Sequence, residues 1–132
     1  MTLEEERTTR DYLYGRLLAI AERIEDVALW VADEKRPSTA ARLMQRFADR
    51  PFSTWRTIEL ALQPYMHRLQ GSRPGFLVNR KKELDRVLAQ FQTEEFTDDA
   101  ALTGEFLLGY HCQRQASGPG NDQHEDRSGD QS

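Results

Sequence analysis

At 132 residues the chain has the size of a single domain, and it can bury about two-thirds of the surface that its unfolded form exposes. Disulfides are therefore not needed for stability, and the one cysteine, Cys112, cannot form one within the chain, which points to a reducing cytoplasm. No apolar run approaches the roughly 20 residues of a membrane span, and the start MTLEEERTTRD lacks the features of a signal peptide.

The charge of the chain is divided unevenly along its length. Residues 35–86 carry twelve Lys or Arg against four acids, a net charge of +8, although the whole chain carries -4. Residues 1–34 carry four arginines against nine acids, and the segments after residue 86 are acidic as well. We call residues 35–86 the basic block, and its charge indicates an anionic partner for the middle of the chain.

Residues 9–33 have the pattern of an amphipathic helix. The apolar stripe consists of Leu13, Leu17, Ile20, Ile24, Val27, Ala28 and Val31. Leu18 and Leu29 fall on the opposite, acidic face, where the pattern predicts exposure or a subunit contact. One flank carries Tyr12, Arg16, Arg23 and Trp30. That flank is typical either of an edge that stacks on bases and grips a nucleic-acid backbone, or of a core edge with outward-pointing arginines.

The basic block opens with a helix predicted from about residue 39 to Asp49, capped by Ser38 or Thr39. On one helix, Arg42, Arg46 and Arg50 form a single ridge, because they follow one another at i+4 steps. Leu43, Met44 and Phe47 project from the other side. The pattern therefore predicts a helix with one basic face and one core face.

Arg50-Pro51 ends that helix, and Ser53 or Thr54 is predicted to cap the next one, which runs to about Gln70. Pro64 predicts a kink or a short break near residues 60–63. Arg68 lies near the end of this helix, and Arg73 lies in the turn QGSRPG that follows. Both are further candidates for contact with an anionic partner.

The turn is predicted to end with Ser72 as a cap and Pro74 in the first turn of a helix that runs to about Gln92. On that helix Lys82 and Arg86 lie opposite the apolar stripe. An acidic, irregular stretch follows, and Thr103 and Glu105 open the last helix. No segment has the pattern of a strand, so the sequence predicts an all-α, compact bundle of about five helices over residues 1–116. Residues 117–132, an acidic tail, are predicted to be disordered.

Nothing in the sequence indicates catalysis, a metal site or a cofactor. His67, His111 and Cys112 are the only candidates besides ordinary carboxylates, and adjacent helical side chains diverge by about 100°, which suits neither a zinc site nor a nucleophile–base pair. The basic block favours a binding protein that contacts nucleic acid. Two alternatives stay open: a helical adaptor that joins proteins only, and a helix-turn-helix protein with residues 39–49 and 53–63 as its helix pair.

Four strings in the chain are familiar in this order and spacing: RDYLYGRLLAIAE at 10–22, RLMQRFADRPFSTW at 42–55, RPGFLVN at 73–79 and GEFLLGYHCQRQ at 104–115. Together they resemble the C-terminal helical region of the large subunit of type I-C CRISPR Cascade complexes. In this family the same region is also made separately as the small subunit, and a chain that begins just upstream of the matching region is similar to that subunit.

The resemblance implies an all-helical, non-catalytic subunit present in more than one copy. It would pack on the repeated backbone subunits and on the large subunit, and support the R-loop, which consists of the guide RNA paired with target DNA and the displaced strand. The family supplies no motif for individual contacts, so the candidates come from the residues themselves. They are Arg42, Arg46, Arg50, Arg68, Arg73, Lys82 and Arg86. These long cations would contact phosphates without reading sequence, or would meet acidic surfaces of neighbouring subunits instead.

Overall fold

The structure is a computed structural model that describes residues 7–116. Within that range it holds seven helices and no strand, so the all-α prediction is confirmed. The helices are α1 (Arg10–Val31), α2 (Thr39–Arg42), α3 (Met44–Asp49), α4 (Pro51–Ser72), α5 (Pro74–Leu88), α6 (Thr93–Thr97) and α7 (Glu105–Ala116). None of them combines the length and hydropathy that a membrane span requires. The predicted disordered tail, residues 117–132, lies outside the described residues.

Helix α1 lies at the centre of the fold. It packs against α2, α4, α5 and α7, so its side chains are buried around nearly the whole helix. Leu18 is 0% and Leu29 3% exposed, which makes the predicted exposure of these two leucines wrong. Neighbouring helices cover the face that a simple amphipathic pattern assigns to solvent.

Helices α1 and α7 approach each other closely at two glycines. A Cβ atom added to Gly15 would lie 1.9 Å from the carbonyl oxygen of Phe106, and one added to Gly109 would lie 2.1 Å from that of Tyr12. In both cases the obstacle is backbone of the facing helix, which cannot rotate away as a side chain can. The two glycines therefore set the distance at which α7 packs on α1.

The predicted helix over residues 39–49 is divided at Leu43. Ser38 caps α2 as predicted, because its hydroxyl accepts the N–H of Ala41 at 3.0 Å. Leu43 then adopts φ -101° and ψ 11°, close to the bridge region, and α3 begins at the next residue. With this change of direction both Ala40 and Phe47 are buried in the core.

A buried carboxylate holds α2 against α1. Glu25 is 1% exposed, and its two oxygens accept the backbone N–H of Thr39 at 3.0 and 2.9 Å. The Thr39 hydroxyl adds a hydrogen bond of 3.2 Å, and Arg36 adds an ion pair of 3.3 Å. Because the buried charge is both paired and hydrogen-bonded, it fixes the start of the basic block to the central helix.

Helix α4 begins earlier than predicted and continues without a break. Pro51 occupies its first turn, so neither Ser53 nor Thr54 is its cap. Thr54 is buried instead, and its hydroxyl donates to the carbonyl of Arg46 at 3.2 Å. Pro64 lies inside the helix, and the predicted break near residues 60–63 is wrong. Since Pro64 is exposed, solvent can satisfy the carbonyl group that its missing N–H leaves free.

The junction of α4 and α5 is tighter than predicted. Helix α4 includes Ser72, whose hydroxyl donates to the Arg68 carbonyl at 3.2 Å and caps nothing. Arg73 alone separates the two helices, and Pro74 opens α5 as predicted. Helix α5 ends at Leu88, before the predicted Gln92, because Ala89 and Gln90 form a turn that leads into α6.

Candidate nucleic-acid interface

The three arginines predicted to form one ridge are exposed but do not lie on one helix. Arg42 ends α2, Arg46 belongs to α3, and Arg50 is the non-helical residue before α4. Because the helix is interrupted at Leu43, the prediction of a continuous ridge is wrong. The interruption also removes the single first helix that the helix-turn-helix alternative required. What remains is one exposed cation on each of three consecutive segments.

Arg42 forms a hydrogen bond within the fold, and Arg50 lies near enough to a carboxylate for its charge to act on it. The Nη2 atom of Arg42 donates to the Thr39 hydroxyl at 3.3 Å. Asp99 is hydrogen-bonded to Ser53 at the start of α4, and this bonding, with the nearby charge of Arg50, holds the pKa of Asp99 below its ordinary value. Arg46, in contrast, forms no ion pair with any residue in the described range. Arg46 is therefore the most available cation of the three.

Lys82 and Arg86 stand one turn apart on the exposed face of α5. Neither forms an ion pair within residues 7–116. Leu77, Leu84 and Val87 on the same helix are buried. The structure thus places this pair opposite the apolar stripe, where both charges face solvent.

Arg68 and Arg73 contact aromatic rings where α1 ends beside α4. The Arg68 guanidinium lies 5.3 Å from the centre of the Tyr65 ring, and that of Arg73 lies 5.1 Å from the centre of the Trp30 ring. Arg36, which the sequence pattern did not single out, lies 5.4 Å from the same Tyr65 ring. Distances of this size are typical of cation–π contacts. We call these five residues the stacking patch.

Acidic residues border the stacking patch. Glu34 forms an ion pair of 3.1 Å with Arg68 and one of 3.7 Å with Arg36. A groove of about 280 Å³ opens beside the patch, lined by Asp26, Leu29, Trp30, Asp33, Glu34, Lys35 and Arg36. Burial, and then the charge of Glu22, raise the pKa of Asp26 to about 6. The groove therefore combines an aromatic ring, carboxyl groups and cations.

The end of α1 fixes the backbone that carries Trp30 and Glu34. The N–H of Glu34 donates to the carbonyl of Leu29 at 2.9 Å, and that of Asp33 to the carbonyl of Trp30 at 3.1 Å. Asp33 has a φ of 56°, in the left-handed region. This pair of bonds is the Schellman motif, with aspartate where glycine is usual. Because aspartate rather than glycine occupies this position, the motif could not be predicted from the sequence.

The predicted basic-aromatic flank of α1 divides into a buried part and an exposed part. Tyr12 is 0% and Arg16 2% exposed, and Arg23 is half-buried. Trp30, in contrast, is 66% exposed. The core interpretation therefore holds for Tyr12. Arg16 does not point outward as that interpretation predicted, because it is buried and its Nε donates to Oε1 of Gln113 at 2.8 Å. Trp30 lies largely in solvent.

The candidates for catalysis do not come together. Cys112 is buried, whereas the neighbouring His111 is exposed, and so is His67 on α4. Across the described part of the chain, no group of three or more His, Cys, Asp or Glu side chains is placed to hold a metal ion.

Comparison with known protein families gives a match over most of the chain. The sequence profile of the family described as CRISPR-associated protein (Cas_Csd1) matches residues 1–117, which include every described helix. A search of curated proteins gave no significant match. The profile covers most of the chain, including the basic block and the stacking patch.

Proposed function

This chain belongs to the Cas_Csd1 family of CRISPR-associated proteins, and on that premise we propose that it is the small subunit of a type I-C Cascade complex. Members of the family are structural components of Cascade. In the proposed role the chain packs along the repeated backbone subunits, beside the large subunit and further copies of itself. It catalyses no reaction and works in the cytoplasm.

The proposed task is to support the R-loop by contacts to phosphates that do not depend on sequence. In Cascade-type complexes base pairing with the guide RNA reads the target, so protein subunits need only hold backbones and the displaced strand. Long side chains with a fixed positive charge suit this task, because one guanidinium reaches several phosphate oxygens.

The observation that carries the proposal is the set of exposed cations without an ion-pair partner in the described fold. Arg46, Lys82 and Arg86 belong to this set. Many exposed cations are balanced by a nearby acid on the same surface, but these three are not. They also lie in a block of charge +8, and a concentration of positive charge attracts an anionic partner. For a Cascade subunit, this anionic partner would be the target DNA, with the guide RNA beside it.

The direct test compares Cascade assembled with and without this chain, measuring target affinity at two salt concentrations and the length of protected displaced strand. We expect weaker binding and a shorter R-loop without the chain. A triple variant Arg42→Ala, Arg46→Ala, Arg50→Ala should flatten the slope of log affinity against log salt by roughly 0.7 to 0.9 for each lost contact.

The control is Arg7→Ala, which removes one positive charge where the triple variant removes three. Arg7 lies outside the basic block and pairs with Glu105 at 3.2 Å. The Arg7→Ala variant should leave both the target affinity of Cascade and its salt slope unchanged. If the triple variant assembles normally and also leaves both unchanged, these arginines do not contact nucleic acid. Poor assembly with an unchanged R-loop would make the chain a purely structural adaptor.

A further inference from the structure

The exposed side of α5 carries positive charge that the rest of the described fold does not neutralise. Lys82 and Arg86 lie one turn apart there, and neither forms an ion pair with a described residue. The two acids of α5 do not supply a partner, because Glu83 pairs with the buried Arg80 and Asp85 forms no ion pair within the described fold. We call Lys82 and Arg86 the α5 face, and it lacks an acidic partner within the described fold.

Helix α7 ends beside this face. The side-chain amide of Gln113 donates to Oε2 of Glu83 at 3.0 Å, so the last turn of α7 lies against the middle of α5. Glu83 directly follows Lys82, and Arg86 lies one helical turn beyond Glu83. Because α7 ends at Ala116, the chain leaves the described fold about 5 Å along the helix axis from this contact.

The residues that follow α7 carry the complementary charge. The acidic tail, residues 117–132, contains four acids and one arginine, a net charge of -3. Its acids are Asp122, Glu125, Asp126 and Asp130. An extended chain of six residues spans about 20 Å, so even the first of these acids lies within reach of the α5 face from Ala116. Groups joined by a short linker also meet at an effective concentration of about a millimolar, which favours the tail over a separate molecule.

Another exposed cation of the chain fits the tail less well. Lys35 lines the groove at the end of α1 together with the carboxyl groups of Asp26, Asp33 and Glu34. These carboxyl groups repel an acidic segment. Lys82, in contrast, lies one turn from a second cation and beside the end of α7. Charge and position therefore both favour the α5 face.

We propose that the acidic tail docks on the α5 face and covers Lys82 and Arg86. The docking involves groups of this chain alone, but its consequence rests on the proposed function, because a nucleic-acid phosphate then has to displace the tail before it contacts these cations. Exposed ion pairs are weak one by one and are screened by salt, so the docking is reversible. The family profile ends at residue 117, so the tail adds a feature outside the matched helical region.

The lysines of the full chain allow a direct test. A carbodiimide joins a carboxyl group to an amine only where the two are in contact, and mass spectrometry identifies the joined residues. At low salt we expect Lys82 to be joined to acids of the tail, whereas Lys35, which is also exposed, should not be joined to the tail. In about 1 M salt the link to Lys82 should be lost, because the Debye length falls to about 3 Å.

An equal mixture of unlabelled and isotopically labelled chains identifies which copy supplies the tail. A tail joined to Lys82 of its own chain supports the proposal. A tail that is joined to Lys82 of another copy, joined equally to Lys35 and Lys82, or joined to neither lysine would overturn it.

The consequence for nucleic acid is measured in assembled Cascade with a neutralised tail. Four substitutions outside the described helices remove its acids: Asp122→Asn, Glu125→Gln, Asp126→Asn and Asp130→Asn. We expect the target affinity to rise by about two- to fivefold at low salt. The matched control is the same tail change in a chain that also carries Lys82→Gln and Arg86→Gln, where it should have no effect. An equal gain in both backgrounds would show that the tail repels nucleic acid without docking, and would overturn the proposal.

The two measurements separate the inference from the proposed function. If the tail is joined to Lys82 but its neutralisation leaves target affinity unchanged, the docking is confirmed and the α5 face does not contact phosphate in Cascade. If no link to Lys82 forms at low salt, the docking is overturned. Lys82→Gln and Arg86→Gln would then still test the proposed function through the salt slope.

Discussion

Glu34 accepts a hydrogen bond of 3.1 Å from Arg68, although the two residues lie 34 positions apart in the chain. The same carboxylate pairs with Arg36 at 3.7 Å, so it neutralises two arginines of the stacking patch. Any phosphate that binds these arginines has to compete with Glu34. The ion pairs are partly exposed, and pairs of this kind contribute about 0.2 to 1 kcal/mol each.

We therefore expect Glu34→Gln to raise the affinity of Cascade for its target by about two- to fivefold. The salt slope should become steeper, because the freed arginines would neutralise more phosphates, and those phosphates would release their counterions. Glu94→Gln removes the same charge from an exposed site on α6 and serves as the control. A Glu34 variant that binds no better than this control would mean that Arg68 and Arg36 do not meet phosphate.

The left-handed backbone of Asp33 predicts a gain in stability on substitution. Its φ of 56° strains any residue with a Cβ atom, and aspartate only in part escapes that strain. We expect Asp33→Gly to raise the free energy of unfolding by about 0.5 to 1 kcal/mol, measured by urea denaturation. Asp85→Gly, at an exposed position inside α5, should lower it by about 0.3 kcal/mol, since aspartate is only slightly better than glycine in a helix interior. A loss of stability in Asp33→Gly would contradict the assigned Schellman motif.

The close approach of α1 and α7 predicts opposite effects for two kinds of glycine. Gly15→Ala and Gly109→Ala would each place a methyl group against backbone of the facing helix, so we expect losses of about 1 to 3 kcal/mol or more. Gly71→Ala, in contrast, meets nothing within 4 Å and lies inside α4, so it should stabilise the chain by about 0.5 to 1 kcal/mol. Thermal unfolding of the three variants would rank them, and equal losses for all three would refute the packing argument.

The long helices could be predicted from the sequence because their signals are local. The apolar period of α1, the cap at Ser38 and the first residues of α5 and α7, Pro74 and Glu105, depend only on neighbouring residues. The burial of Leu18 could not be predicted in this way, because it depends on helices that are distant in the chain and pack on α1 from several sides.

The same distinction between local and long-range causes applies to the residues of the candidate site. Lys82 and Arg86 could be placed on an exposed face because one helical period determines their position. The contact of Arg36 with Tyr65 could not be predicted, because it joins the connection after α1 to helix α4, and only the folded chain brings these two together. The interruption at Leu43 was missed for the same reason, since it follows from the burial of side chains on both sides.

Asp26 predicts a specific dependence of stability on pH. Burial first, and then the charges of Glu22 and Glu25, raise the pKa of its carboxyl group from 3.8 to about 6, although Arg23 and Arg114 act in the opposite direction. The folded chain therefore binds the Asp26 proton more tightly than the unfolded chain does. Protonated Asp26 favours the fold at low pH, and that contribution is lost as the pH rises from about 4 to about 6.

We expect Asp26→Asn to be more stable than the wild type at pH 8, and to differ little from it near pH 4. A full shift of this size corresponds to about 3 kcal/mol, and solvent screening at a partly exposed site reduces the expected gain to about 1 kcal/mol. Urea unfolding at both pH values measures the difference, with Asp85→Asn on the exposed face of α5 as the control. The same gain at both pH values would contradict a raised pKa for Asp26, because the advantage of asparagine would then not depend on the protonation of the carboxyl group.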